Sequence, residues 1–261
     1  MGLLDIETGH AKVDAVLTTL RRGVARILSR DMVGMYLYGS LALGDFDPES
    51  SDIDFLIATV GRPTPDQLSA LRDMHAALQA GAPVQRIEGS YIPLGDLRRY
   101  EPSAEHAGIG TDWPFEVRGH GPDWVINRHI VREHSPVLFG PDPRALIDPV
   151  SPAQLRQAVV DVVAFWNRSL EDPRWLRKRN YQAFAVFTMC RMLYTLECGE
   201  VVSKPVAAAW ASERLDAPSM RLIDRARVWQ YESRPGDMGE TLTFVRSVLD
   251  GIAVNAERLT P

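Results

Sequence analysis

The stretch GSLALGDFDPESSDID, residues 39–54, joins two short apolar runs of the sequence, 32–40 and 53–60. Each run is long enough for one buried strand, and neither shows the three-to-four-residue spacing of an amphipathic helix. A Gly-Ser pair ends the first run, and two aspartates one residue apart open the second. We therefore predict two strands joined by a polar segment that carries the function.

The beginning of this polar segment predicts a phosphate-binding turn. Gly39 allows backbone amides to approach a ligand closely, and Ser40 opens a short helix and adds a hydroxyl group. The free amides and the positive dipole end of a helix N-terminus suit an anionic phosphate. We expect Gly39 and Ser40 to contact a phosphate group.

The end of the segment predicts a cation site. Asp52 and Asp54 are two residues apart, so on a strand their side chains point to the same face. Two carboxylates this close repel each other unless a cation lies between them. Mg²⁺ suits the pair, because it is a hard ion that proteins hold with one or two carboxylates together with substrate phosphates.

A third carboxylate lies in the next strand candidate, 84–93. Glu88 stands between Ile87 and Gly89, and a lone glutamate in an apolar strand is costly unless it is paired or ligated. We predict that Glu88 is the general base, with metal contact as its alternative role. Gly-Ser and Asp-x-Asp are also common as plain solvated turn residues, but their ordered combination with a later glutamate favours the catalytic interpretation.

Residues 38–57 closely resemble the Gly-Ser…Asp-x-Asp signature of the polymerase-β-type nucleotidyltransferase superfamily. The resemblance implies an enzyme that binds a nucleoside triphosphate and Mg²⁺, transfers a nucleoside monophosphate to a hydroxyl group and releases pyrophosphate. The candidate nucleotide-binding residues in this half are Gly39, Ser40 and Ser51, and the candidate metal ligands are Asp52, Asp54 and Glu88.

The second half of the sequence narrows the family. Residues 190–215 resemble the C-terminal domain of the aminoglycoside 3″-adenylyltransferases, the streptomycin and spectinomycin resistance enzymes. This resemblance implies that Arg191 on one helix and Lys204 at the start of the next contact the nucleotide phosphates. It also implies Mg²⁺-dependent transfer of AMP from ATP to a hydroxyl of a small molecule, with an aminoglycoside or aminocyclitol such as streptomycin or spectinomycin as the leading acceptor.

One segment departs from the family pattern. Family members that modify aminoglycosides carry acidic residues just before the helix that holds the arginine, whereas 174–179 is basic here and Tyr181 stands where an acid is expected. Such a segment does not attract a polycation. An anionic or neutral acceptor therefore stays open, and spectinomycin bears less charge than streptomycin. The alternative class of function is an antitoxin-like nucleotidyltransferase that acts on a protein or regulatory partner, although such proteins are usually shorter.

Four aromatic side chains are candidates for binding the acceptor: Trp113, Trp124, Tyr181 and Tyr231. The two tryptophans lie in and beside the Gly- and Pro-rich segment 95–123, which shows no clear periodicity and is predicted to be irregular. Each could stack on a ring of the acceptor or plug the protein interior. Tyr231 follows a helical pattern, where aromatic residues more often belong to the core.

The order of these patterns predicts an α+β protein with two domains. Residues 1–145 are expected to form the nucleotidyltransferase domain, a mixed sheet with flanking helices, and the Pro-rich stretch 140–152 marks its end. Residues 146–261 are expected to form an all-α bundle that completes the nucleotide and acceptor site. The predicted helices lie at 11–30, 64–80, 152–169, 181–198, 205–214, 218–232 and 238–258, with a short helix and then a strand within 123–140.

Composition limits the remaining possibilities. The chain is 45% hydrophobic and 24% charged with a net charge of −5, which is typical of a globular protein and argues against nucleic acid as a partner. It contains no apolar run long enough to cross a membrane. Two cysteines and the lack of an export signal predict a cytoplasmic protein with reduced thiols, and we expect a monomer.

Overall fold

The computed structural model describes residues 7–81 and 86–259, with side chains described up to residue 254. The chain divides into two compact units. The first unit takes the chain up to His120 together with Asn127–Pro149. The second takes Gly121–Ile126 and everything from Val150 onward.

A mixed sheet forms the first unit. In the described part of the chain its strands are β1 (Met32–Leu37), β2 (Ile53–Thr59), β3 (Ile87–Pro93), β4 (Glu105–Gly110), β5 (Trp113–Gly119) and β6 (Val137–Phe139). They lie in the order β5-β4-β3-β2-β1-β6, and only β2 and β3 run parallel. The strands predicted at 32–40 and 53–60 are confirmed. The strand predicted at 84–93 is confirmed from Ile87 onward, and its first two residues lie outside the described residues.

Five helices accompany the strands in the same part of the chain: α1 (Ala11–Leu28), α2 (Gly39–Leu43), α3 (Pro65–Gly81), α4 (Leu94–Leu97) and α5 (Asp123–His134). Leu17 of α1 and Leu71 of α3 are fully buried in one cluster with Phe55 and Ile57 of β2. Helices α1 and α3 therefore cover one face of the sheet. Because side chains alternate along a strand, Asp54 belongs to the opposite face.

The prediction that residues 95–123 are irregular is wrong. This segment contains both β4 and β5, paired as an antiparallel hairpin. Three of the six residues of β4 are Ala or Gly, and β5 contains Pro114, so the alternation of apolar and polar side chains that marks a strand is weak in both. Pairing with β3 supplies the stability that local propensity does not.

The second unit is helical, as predicted. Its main helices in the described residues are α6 (Pro152–Ser169), α7 (Arg179–Cys198), α8 (Lys204–Ser212), α9 (Ala217–Trp229) and α10 (Gly239–Leu259). Ser151 begins α6 with a complete capping box, because its hydroxyl accepts from the backbone N–H of Gln154 and the Gln154 side chain accepts in return. Buried side chains of α7, including Val186 and Met189, lie in one core with residues from the other four helices.

The predicted fold class, an α+β protein with a mixed sheet and a C-terminal helical region, is confirmed. None of the helices in the described residues is both long and apolar enough to span a membrane.

Candidate active site

Two of the predicted acids lie side by side on the sheet. In the parallel pairing of β2 with β3, Asp54 is the register partner of Glu88. Paired residues of neighbouring strands point to the same face, so both carboxylates lie on the face opposite α1 and α3. Both residues are partly buried. The arrangement brings two oxygen-rich side chains to one place on a rigid sheet.

The Gly-Ser turn lies directly against this pair. Gly39 has φ +60°, and a Cβ atom at this position would collide with the Asp54 carboxylate. Only glycine therefore allows the backbone to pass so close to Asp54. Helix α2 begins here as predicted but is five residues long, and Ser40 lies in its first turn, partly buried. The structure thus brings Gly39 and Ser40 next to one member of the acidic pair.

Asp52 lies two residues before Asp54, just ahead of β2, and is held by two side chains. Arg86 forms a salt bridge with Asp52 at 2.7 Å, and the Thr111 hydroxyl donates to Asp52 at 3.2 Å. Arg86 also donates to the carbonyl of Ser50, so it fastens the loop that precedes β2. Ser51 closes the same loop, because its hydroxyl accepts from the backbone N–H of Asp47 at 3.1 Å.

The metal assignment stays a prediction. Among residues 7–81 and 86–259, no group of three or more His, Cys, Asp or Glu side chains is gathered closely enough to hold a metal ion. Asp54 and Glu88 are register partners, whereas Asp52 is engaged by Arg86 and Thr111. The structure therefore brings together two acids, and the third acid, Asp52, lies two residues before Asp54 and just ahead of β2.

Trp113 lies on the sheet face that carries Asp54 and Glu88, and a β-bulge puts it there. Gly108 pairs with Glu116 and Gly110 pairs with Trp113, so β5 uses one more residue than β4 over this interval. Without the bulge, Trp113 would share the core face with Phe115. The extra residue turns the indole toward the acidic face, a common use of bulges beside functional sites.

A histidine pair lies on the sheet face that carries Glu88: His106 on β4 is buried, and His120, just after β5, is partly buried. His106 and His120 have ring centroids 4.7 Å apart, and His120 Nε2 lies 3.0 Å from the hydroxyl of Ser90, two residues beyond Glu88. Burial lowers the pKa of His120 to about 3, with the neighbouring His106 adding to the effect, and burial also lowers the pKa of His106 despite its contact with Asp96. Both rings are therefore neutral near pH 7.

The second unit holds the two predicted phosphate-binding cations. Arg191 lies on α7, and Lys204 is the first residue of α8. The Lys204 ammonium lies 5.6 Å from the ring centroid of Phe184, which stands two helical turns before Arg191 on α7. Residues seven apart share a helix face, so Arg191 and Lys204 lie on the same side of α7.

The three remaining aromatic candidates also belong to the second unit. Tyr181 lies in the first turn of α7, with its ring 6.3 Å from Trp175 in an edge-on arrangement. Trp124 is buried, whereas Tyr231, just after α9, is 53% exposed. The burial of Trp124 fits the packing role that the sequence left open, and the contact of Tyr231 with an acceptor stays a prediction.

Sequence reasoning missed Arg86, Thr111 and the bulge in β5. Arg86 lies within the predicted strand 84–93, two residues before Glu88, but its pairing with Asp52 depends on the β2–β3 register. Thr111 reaches Asp52 through the β4–β5 turn, which the predicted irregular segment concealed.

Comparison with known proteins agrees with this geometry. Residues 17–86 match the family described as "Nucleotidyltransferase domain", and residues 145–251 match "Aminoglycoside adenylyltransferase, C-terminal domain". An aminoglycoside (3″)(9) adenylyltransferase of Klebsiella pneumoniae is 29% identical over 83% of this chain and 85% of its own length. A spectinomycin 9-adenylyltransferase of Staphylococcus aureus is 25% identical over 78% of this chain and 80% of its own.

A comparison with a solved structure shows that the similarity extends to the fold. The crystal structure of a spectinomycin adenyltransferase from Enterococcus faecalis, determined with ATP and spectinomycin, superposes with a TM-score of 0.73. It covers 90% of this chain and 98% of the other, at 15% sequence identity.

The fold, the Gly39–Asp54 stretch and the two family matches define the chain as a nucleotidyltransferase enzyme. The resemblance of its two halves to the aminoglycoside adenylyltransferases, which the sequence predicted, is confirmed by both family matches and by the curated relatives.

Proposed function

We propose that the protein transfers AMP from ATP to a hydroxyl group of a small molecule, with an aminoglycoside or aminocyclitol antibiotic as the acceptor. The observation that carries the proposal is the pairing of Asp54 with Glu88 beside the Gly39 turn. Relatives named for aminoglycosides and for spectinomycin match over most of the chain and support the choice of acceptor.

The residues present fit Mg²⁺ as the cofactor. Asp54 and Glu88 offer hard carboxylate oxygens from adjacent strands, and Asp52 lies two residues before Asp54. Mg²⁺ needs only one or two carboxylates when substrate phosphates and water supply its other ligands. We assign Asp52 and Asp54 as its principal ligands, with Glu88 as a further contact. When bound, Mg²⁺ would neutralise charge on the triphosphate.

Glu88 is the proposed general base. Its carboxylate takes the proton of the acceptor hydroxyl, and the oxygen forms a bond to the α-phosphorus of ATP. The bond from that phosphorus to the bridging oxygen breaks on the opposite side, and pyrophosphate leaves with the bond electrons. The product is the adenylylated acceptor.

The chain's other candidates position the nucleotide and the acceptor. The backbone at Gly39 and the hydroxyls of Ser40 and Ser51 are assigned to the triphosphate. Arg191 and Lys204 neutralise charge that develops on the departing pyrophosphate, a contribution that is electrostatic rather than covalent. Trp113, Trp124, Tyr181 and Tyr231 remain the candidate acceptor contacts, and Trp113 has the strongest case because it shares the sheet face of Glu88.

Pyrophosphate release tests the proposal. The unaltered chain, incubated with ATP, Mg²⁺ and a panel that includes streptomycin and spectinomycin, is expected to release pyrophosphate with at least one acceptor. Asp54→Asn keeps the side-chain shape and is expected to lower turnover at least about 100-fold, since it removes a charge from the reacting centre. Glu49→Gln, an exposed acid of the same loop, is the matched control and should keep turnover. Full activity of Asp54→Asn, or no release with any acceptor, would refute the proposal.

A further inference from the structure

The sheet face that carries Glu88 also carries the indole ring of Trp113. The β3–β4 pairing matches Gly89 with Ile109 and Ser90 with Gly108, and the same register places Gly110 beside Glu88. Trp113 is the register partner of Gly110 on the next strand. One row across the sheet therefore runs Asp54, Glu88, Gly110, Trp113, which puts Trp113 two strands away from Glu88, about 10 Å, within the span of an acceptor whose hydroxyl meets Glu88.

The indole of Trp113 lies flat over the β4 backbone. A Cβ atom at Gly110 would collide with the pyrrole part of the ring, and one at Gly108 would lie 3.2 Å from its outer edge. The same Cβ at Gly108 would be 2.9 Å from the hydroxyl of Ser90, which confirms that the ring shares the face of β3 that carries Ser90 and Glu88. The two glycines leave the space that the ring fills.

The guanidinium group of Arg118 lies over the indole ring of Trp113. Its guanidinium carbon lies 4.5 Å from the Trp113 ring centroid, within cation–π distance. Its nearest acid, Glu116, is 3.8 Å away, and both side chains are about half exposed, so the pair is weak and screened. A positive charge thus occupies the place on the indole that would otherwise attract a cation.

We propose that Arg118 is a specificity-determining residue of the acceptor site. It selects acceptors that place neutral hydroxyl groups, which can accept hydrogen bonds from a guanidinium, beside Arg118 and Trp113, and it disfavours those that present a guanidinium or ammonium group there. A cationic group must displace Arg118 from the indole or lie beside a like charge, and both cost free energy. The inference rests on the proposed function and adds the charge class of its acceptor.

The test compares two acceptors on the same enzyme. Streptomycin carries guanidinium groups, and spectinomycin bears less charge. We measure kcat/KM for each with ATP and Mg²⁺ in the unaltered chain, in Arg118→Gln, in Arg118→Lys and in Arg72→Gln. The ratio of the two values cancels changes in folded fraction and in ATP binding. Arg72 is an exposed arginine on α3, which covers the other face of the sheet, and it controls for the loss of one net charge.

Arg118→Gln is expected to raise the streptomycin-to-spectinomycin ratio about 5- to 10-fold, the size expected for one partly exposed charge at this distance. Arg118→Lys, which keeps the charge, should stay within about 2-fold of the unaltered chain, as should Arg72→Gln. An unchanged ratio in Arg118→Gln, or an equal shift in Arg72→Gln, overturns the inference while leaving the proposed function intact. If the unaltered chain releases no pyrophosphate with either drug, the proposed function fails and the inference fails with it.

Discussion

Replacing Gly39 with alanine should remove most of the activity while lowering the stability only slightly. Gly39 combines two constraints: its φ of +60° lies in the left-handed region, and a Cβ there would collide with the Asp54 carboxylate. The first constraint alone costs an L-residue about 1–2 kcal/mol. The second forces Asp54 away from its place beside Glu88.

The size of the activity loss follows from that collision. To restore van der Waals contact, the Asp54 carboxylate or the Gly39 backbone must retreat by more than about 1 Å, and a displacement of that size at a reacting centre can cost about 100-fold in rate. The expected Gly39→Ala enzyme is therefore folded, with a melting temperature lower by about 2–4 °C, but nearly inactive.

Gly44→Ala is the matched control. Gly44 ends the same short helix with φ +78°, and a Cβ there would meet no atom within 4 Å. It shares the backbone strain but not the collision, so it should lose no more stability than Gly39→Ala and little activity. Thermal unfolding and pyrophosphate release are measured on both variants. The reasoning is refuted if Gly39→Ala keeps its turnover, or if Gly44→Ala loses as much turnover as Gly39→Ala.

Three further predictions concern stability and reactivity. Burial lowers the pKa of His75 from 6.5 to about 4, so between these pH values His75 binds a proton in the unfolded chain but not in the folded one, and the folded state loses stability as the pH falls. In urea unfolding, the loss of stability between pH 7 and pH 5 should be about 2 kcal/mol smaller for His75→Gln than for the unaltered chain. An unchanged pH dependence would contradict this. Burial raises the pKa of Cys190 to about 12, whereas Cys198 is exposed, so a thiol reagent should modify one cysteine in the folded protein and both in denaturant. Arg156 donates to the last carbonyls of α7, and Arg156→Met should lower the free energy of unfolding by about 1–3 kcal/mol; equal stability would mean that these hydrogen bonds are dispensable.

The sequence was sufficient to predict the helices and strands whose capping residues and apolar spacing agree with the burial of their side chains. The capping residues Ser151 and Pro152 located the start of α6, and the spacing of apolar residues located the long helices. Asp52 and Asp54 could be placed on one face because alternation along a strand is a local property, whereas the position of Glu88 beside Asp54 comes from the β2–β3 register.

The rest depended on pairing between strands. Thr111 reaches Asp52 only because β4 and β5 form a hairpin, and the glycines that make room for Trp113 also conceal that hairpin from pattern analysis. The bulge that turns Trp113 toward Glu88 reverses the face that simple alternation would assign. Such features belong to the register of the sheet, which no single segment encodes.

The role of Glu88 is the most direct test of this view of the site. In Glu88→Gln, which keeps the shape of the side chain, we expect turnover to fall at least about 100-fold, the usual size of a general-base contribution. Calorimetric affinity for ATP in the presence of Mg²⁺ should stay within about 3-fold of the unaltered chain, since other residues hold the nucleotide. A Glu88→Gln enzyme that turns over at the normal rate would contradict the account.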